Sequence, residues 1–224
     1  QGAKLVLFVT GLCKRACYYC PLSEKRKGKD VVYANERPAS SMEEIFIEAE
    51  EMDSLGAGIT GGDPSMRFGR VLKYIASLKK RFGKDYHIHM YSCGELSLKQ
   101  LEALKNAGLD EIRFHCWDAR PVGLAVKAGL FAGVELPAIP GEHQKIIKLL
   151  KELESVGCKF LNLNELEFSE TNARDLIKRG FRLRSEDSPG VKGSEETALK
   201  ALRWAASNTK ISVHYCPSKL KDAV

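Results

Sequence analysis

Six glycines, Gly56, Gly83, Gly108, Gly133, Gly157 and Gly180, recur at intervals of 23 to 27 residues. Each follows a stretch with helical spacing of apolar residues and precedes a short β-rich run. Glycine just past a helix supplies the left-handed conformation that ends it, and about 25 residues is what one strand, one helix and two short loops require. The spacing therefore predicts a βα repeat. Strands are expected over 5–10, 57–60, 87–91, 111–115, 134–138, 160–164 and 211–215, all parallel. Helix starts agree, because Ser41 with Glu44 and Ser97 with Gln100 have the spacing of capping boxes. Leu101 with Leu104, and Ile146 with Leu149, Leu150 and Leu153, form core-facing stripes at helical intervals. The polar stretch 185–193, with Pro189 and two glycines, reads as a loop or short linker.

The strands carry a second signal. His87, His89 and Tyr91 alternate with Ile88 and Met90; Glu111, Arg113 and His115 with Ile112 and Phe114; Asn162 and Asn164 with Leu161 and Leu163; Ser212, His214 and Cys216 with Ile211, Val213 and Tyr215. In a βα repeat the outer face must meet helices and be apolar, so the polar faces are expected on the inside of the sheet. A polar interior suits an open, partial barrel better than a tightly filled eight-stranded one. The alternative is that these groups bond one another in a structural network.

Length suits one large domain over 1–224, with 181–224 expected as a C-terminal extension closing or flanking the barrel. With 44% hydrophobic and 29% charged residues and no apolar run near the ~20 a membrane span needs, a membrane partner is not expected. The net charge of +6 tolerates an anionic partner, but the basic residues are scattered. The chain opens on Gln1 with a strand beginning almost at once, so residues are expected upstream and targeting signals are unreadable. Of seven cysteines, three crowd into 13–20. That crowding reads as metal ligation in a reducing, cytoplasmic setting, whereas Cys93, Cys116 and Cys158 read as small buried hydrophobes.

The cysteine run, Gly11-Leu12-Cys13-Lys14-Arg15-Ala16-Cys17-Tyr18-Tyr19-Cys20-Pro21, follows directly on the first strand with CxxxCxxC spacing. Loops at the carboxyl ends of barrel strands carry chemistry, and three closely spaced thiolates can hold three corners of a cubane cluster while one iron stays open. The motif, with Tyr19 before its last cysteine, resembles the signature of the radical S-adenosylmethionine (SAM) superfamily. That resemblance implies an α/β partial (β/α)6-type TIM barrel. It also implies a [4Fe-4S] cluster on Cys13, Cys17 and Cys20 that cleaves SAM reductively, giving a 5′-deoxyadenosyl radical that takes hydrogen from a substrate.

One βα unit later, Ile59-Thr60-Gly61-Gly62-Asp63-Pro64 resembles the family's GGE motif, with Asp63 where Glu is commoner. The resemblance assigns Gly61 and Gly62 to the SAM ammonium group, and Asp63 and Tyr19 to the cofactor site. Ile139, in Val134-Glu135-Leu136-Pro137-Ala138-Ile139-Pro140-Gly141, is the expected adenine contact. Ser92, His115 and Asn164 occupy places where the family puts groups that touch the SAM carboxylate or ribose. Cys216, ending a polar-faced strand, is a candidate hydrogen donor, substrate attachment point or extra ligand, or else structural. The basic loop with Lys25, Arg26, Lys27 and Lys29 reads as solvated, or as attractive to an acidic reductase or polynucleotide.

Within the superfamily the chain looks most like proteins related to the pyruvate formate-lyase activating enzyme. Implied partners are an electron donor such as flavodoxin or ferredoxin and a substrate that is protein, RNA or a small molecule. Two other readings stand beside a glycyl-radical activase: radical modification of RNA or a nucleotide, and a non-catalytic zinc or iron-sulfur module closed by Cys216 or Cys93. A nucleotide-binding oxidoreductase lacks support, since GxGxxG and GxxxxGK[ST] are both missing.

Overall fold

A computed structural model describes residues 4–218, and the chain divides into two compact units. Of the described residues, one unit holds 4–15, 24–114 and 124–132; the other holds 16–23, 115–123 and 133–218.

In the first unit the elements run β1 (Leu5–Phe8), β2 (Tyr33–Ala34), β3 (Arg37–Pro38), α1 (Met42–Glu51), β4 (Gly56–Thr60), a 3-10 turn (Pro64–Arg67), α2 (Phe68–Phe82), β5 (His87–Ser92), α3 (Leu98–Ala107) and β6 (Glu111–Phe114). β1 pairs with β4, β4 with β5 and β5 with β6, all parallel, as the repeat requires. Leu5, Leu7, Ile59, Ile88, Met90, Ile112 and Phe114 are fully buried on these strands, as are Ile45, Val71, Ile75, Leu78, Leu101 and Leu104 on the helices. Each such side chain contributes about 1.5–3 kcal/mol by leaving water. Both expected capping boxes form: Ser41 accepts from Glu44 N and Ser97 from Gln100 N, with Glu44 and Gln100 answering each cap backbone.

The chain then passes through α4 (Arg120–Lys127) and β7 (Phe131–Ala138). The second unit continues with α5 (His143–Ser155), β8 (Phe160–Glu165), α6 (Ala173–Lys178), β9 (Leu183–Ser185), β10 (Ser188–Val191), α7 (Ser194–Asn208) and β11 (Ser212–Cys216). β7, β8 and β11 pair in parallel. The α5 stripe of Ile146, Leu149, Leu150 and Leu153 is buried, and α7 packs against α5 with Ala198, Ala201 and Ala205 buried. Alanines leave the room that close helix approach needs.

All seven expected strands are present. The differences have physical causes. Two-residue β2 and β3 pair antiparallel, β3 on β2 and β2 on β1, and are too short to carry a periodic signal. The stretch read as a loop or linker holds a hairpin, β9 against β10, with Ser188 and Val191 buried. Two of the six glycines do not cap helices. Gly56 begins β4, where a Cβ would sit 2.4 Å from His87 O. Gly133 lies inside β7, where a Cβ would meet the Phe160 ring at 2.5 Å, and the left-handed turn after α4 is taken by Gly129 at φ 77°.

The polar strand faces bond within themselves. Lys4 Nζ lies 2.9 Å from His87 Nδ1, and Arg113 bonds both Glu111 and the Tyr91 hydroxyl, the latter at 3.1 Å. In the second unit Asn162 and Asn164 both donate to Glu135, at 3.1 and 3.0 Å. His214 and Ser212 are exposed.

Candidate functional site

The cysteine loop begins where β1 ends, and in the first unit its opening residues are laced to the turn after β4. Val9 N donates to Thr60 O at 2.9 Å, Gly62 N to Thr10 O at 2.8 Å and Asp63 N to Leu12 O at 2.8 Å. The ladder between the two strands thus runs on past both of them. Such proximity needs glycine: a Cβ at Gly62 would lie 2.5 Å from Leu12 O, one at Gly61 2.4 Å from Thr10 O, and one at Gly11 1.6 Å from Arg26 O. Every described peptide bond is trans, so carbonyl and N–H of one unit point opposite ways. With the Gly62 and Asp63 N–H groups turned to the cysteine loop, the Gly61 and Gly62 carbonyls point away from it as acceptors.

A buried side chain holds this junction. Thr10 donates through Oγ1 to Asp30 Oδ1 at 2.9 Å, and the Asp30 carboxylate also receives Arg67 Nε at 2.7 Å and Arg70 Nη1 at 2.7 Å. Arg70, then Arg67, hold the Asp30 carboxyl well below the usual carboxylate range. Arg70 donates as well to Val9 O at 2.9 Å, so one guanidinium spans the loop backbone and its anchor.

The remaining first-unit candidates gather nearby. Asp63 is 4% exposed; its Oδ1 accepts from Ser65 N at 3.0 Å, capping the 3-10 turn, and its Oδ2 from Cys93 N at 3.4 Å. Ser92 is buried at the end of β5 and its hydroxyl accepts from Gly94 N. Cys13 is exposed. Its sulfur accepts from Arg15 N at 3.3 Å and lies 3.9 Å from the Cys93 sulfur, while Arg15 donates to Cys93 O at 3.1 Å. Cys93, read from sequence as a small hydrophobe or a closing ligand, is buried beside a candidate cluster ligand.

In the second unit, Cys20 N donates to Cys17 O at 3.1 Å, so both half-buried thiols belong to one tight turn. The loop is braced by the lead-in to α6: Asn172 Nδ2 donates to Tyr19 O at 3.1 Å and Thr171 Oγ1 to Cys20 O at 3.3 Å. Asn172 is itself buried and accepts from Ser169 N. The Tyr19 hydroxyl meets His115 Nε2 at 3.2 Å, and burial, then the neighbouring Cys17 side chain, push its phenol above the ordinary tyrosine value. Asn164 and Cys216 stand in register at the ends of β8 and β11, and Ile139, buried, follows the last residue of β7. Within each unit the candidates lie at the carboxyl ends of parallel strands, where such folds concentrate their chemistry.

Thiolates are the donors an iron-sulfur cluster takes, and Cys13, Cys17 and Cys20 could supply three. Among the described residues no group of three or more His, Cys, Asp or Glu side chains is gathered for a metal ion. Cys13, Cys17 and Cys20 therefore stay candidate ligands on donor chemistry and on their spacing along one loop. The close approach at Gly61 and Gly62 is that of the Thr10 and Leu12 carbonyls, and it leaves the glycines' own carbonyls turned away as acceptors for a polar donor.

The pattern of the Radical SAM superfamily matches residues 7–116. Over those residues the chain is similar to the radical SAM superfamily. It is 45% identical over 239 residues to a Methanocaldococcus jannaschii protein whose name marks it, provisionally, as a glycyl-radical enzyme activating enzyme. That alignment takes in 100% of this chain and 63% of the relative, so the chain spans somewhat less than two thirds of the relative's length. Streptococcus suis SuiB bound to S-adenosylmethionine superposes with a TM-score of 0.65 at 11% identity, over 96% of this chain and 50% of SuiB. Methylornithine synthase superposes with a TM-score of 0.64 at 10% identity, over 95% of this chain and 70% of the synthase. The fold is α/β with parallel strands, like that of these structures, and the radical SAM superfamily works with a [4Fe-4S] cluster and SAM.

Sequence reasoning missed two supports of the site: Asp30 with its two arginines, and Asn172 under Tyr19. Both join residues 37 to 153 positions apart, for which the sequence carries no local signal. Cys93, which the sequence offered as a closing ligand, follows the last residue of β5 and lies beside Cys13.

Proposed function

We propose that this chain is a radical SAM enzyme that installs a radical on a protein substrate, in the manner of a glycyl-radical enzyme activase. The observation that carries the reading is the lacing of Gly62 and Asp63 to Thr10 and Leu12, which brings an acceptor-lined diglycine turn against the start of the CxxxCxxC loop. When bound, the cluster and SAM supply a one-electron cleavage of a sulfonium and a carbon radical able to take hydrogen from a substrate.

The residues divide the remaining work. Cys13, Cys17 and Cys20 would hold three irons. The Gly61 and Gly62 carbonyls would accept from the SAM ammonium group, a charge-assisted bond of roughly 1.5–3 kcal/mol. Asp63 fixes that turn through Ser65 and Cys93, which leaves its carboxylate a positioning role. Tyr19, paired with His115, would orient one wall of the nucleoside site, with Ile139 against the adenine and Ser92 and Asn164 toward carboxylate or ribose. Cys216, beside Asn164, would lie near the substrate. The electron would come from a flavodoxin- or ferredoxin-type donor, and the activase reading follows the M. jannaschii relative's name.

The test is anaerobic cluster reconstitution, reduction with dithionite and assay for 5′-deoxyadenosine. Wild type is expected to form it and Cys17→Ala to lose it by more than a hundredfold; equal formation by both would refute the ligand assignment. For the activase reading, a glycyl-radical signal should appear by electron paramagnetic resonance only when enzyme, SAM and partner protein are all present.

A further inference from the structure

The face of the second unit that braces the cysteine loop carries charge and apolar surface beyond what bracing requires. From Arg174 to Leu183 the exposed residues include Arg174, Lys178, Arg179 and Arg182, against one half-buried acid, Asp175. Between these cations Ile177 is 64% exposed and Leu183 48%. Leu176 beneath them is fully buried with Leu166 and Val191, and Tyr18, Tyr19, Phe168 and Phe181 pack against that cluster, so the face is firmly seated. It is also joined to the cysteine loop. Phe181 stacks on Tyr18 with ring planes within 6°, the Arg179 guanidinium lies 4.1 Å from the centre of the Tyr18 ring, and Tyr18 sits in the chain between Cys17 and Cys20.

We propose that this face docks an acidic one-electron carrier protein that delivers the electron to the cluster. The inference rests on the function proposed above and names a partner for that same site. Exposed aliphatics among like charges are a poor solution for a free surface, but they match the small, weak, electrostatically steered interfaces of transient redox complexes. One electron leaves the carrier, which is oxidised by one, and the cluster is reduced by one; no bond is made or broken. An RNA partner would call for stacking aromatics with open faces. Here Tyr18 and Phe181 are engaged with each other and with Arg179, and the open side chains are aliphatic. Arg184 stands apart from the docking set, because it is bound to Glu165 and Glu195, and the exposed acids Glu186 and Asp187 occupy the hairpin turn between β9 and β10.

The test uses the reconstituted full chain and photoreduced flavodoxin as the acidic carrier, following cluster reduction by stopped-flow absorbance. For the double variant Lys178→Glu with Arg182→Glu, the rate at subsaturating flavodoxin should fall about tenfold or more, and the wild-type rate should fall steeply with salt. Reduction by dithionite, and 5′-deoxyadenosine formation driven by it, should be unchanged. Lys27→Glu, in the exposed basic loop of the other unit, should behave as wild type. An unchanged flavodoxin rate in the double variant overturns the proposal, as does salt-sensitive binding of a labelled single-stranded RNA that the double variant abolishes. If wild type forms no dithionite-reducible cluster, the radical SAM reading itself falls, and the docking proposal with it. A variant that loses cluster content would be replaced by Lys178→Gln with Arg182→Gln, which removes the charge without reversing it and should still slow flavodoxin selectively.

Discussion

His89 is 8% exposed, its ring lies over Gly58 where a Cβ would come within 2.8 Å of Nε2, and its Nδ1 has no bonding partner among the described residues. Burial first, then the positive charges of Arg113 and Lys4, push its pKa down to about 3. The folded value is below the unfolded one, so between about pH 6.5 and 3 the unfolded chain binds more protons at this site. The stability linked to neutral His89 is therefore complete above about pH 6.5 and is lost progressively as the pH falls through that window. Urea unfolding from pH 7.5 to 4.5 should show a loss of up to about 1.4 kcal/mol per pH unit from this residue. His89→Gln should flatten that slope, and an equal slope in the variant would remove His89 as its source. Alternation along the strand marks His89 as part of a polar face. Its burial depends on Gly58 and on the neighbouring strand, which no local pattern reports.

Among the elements, the junction of the first two parallel strands decides the site. Gly62 does not require a left-handed backbone; it requires space, because the Leu12 carbonyl occupies the position of any Cβ. Gly62→Ala must displace backbone, and with it the carbonyls proposed to meet SAM. SAM binding to reconstituted protein should weaken about tenfold or more, a loss of ~1.4 kcal/mol by equilibrium dialysis. Gly69→Ala, with nothing within 4 Å of its Cβ position, should leave affinity unchanged. The diglycine turn was legible because it sits one βα repeat after the cysteines. The capping boxes were legible for the same local reason, since Ser and Glu or Gln three residues apart satisfy each other's backbone. The hairpin of β9 and β10 was not, because Ser188 and Val191 look like loop residues until another element covers them.

For the whole molecule, anything that binds the native state alone raises its apparent stability. Iron chelation of the reconstituted enzyme should lower Tm to that of the apoprotein, and SAM should raise Tm only while the cluster is in place, both measured by anaerobic scanning calorimetry. A SAM-induced rise in apoprotein would argue against a shared site. Helix and strand spacing, glycine punctuation and the CxxxCxxC motif are properties of neighbouring residues, so the parallel βα repeat, and the resemblance on which the proposed chemistry rests, were legible in the sequence alone. Tertiary structure decided the contacts between residues far apart in the chain: Asp30 accepting from Thr10, Arg67 and Arg70, Asn172 holding Tyr19, and Cys93 brought to Cys13. Those pairings depend on which surfaces folding buries together, and burial is a property of the assembled chain rather than of any segment.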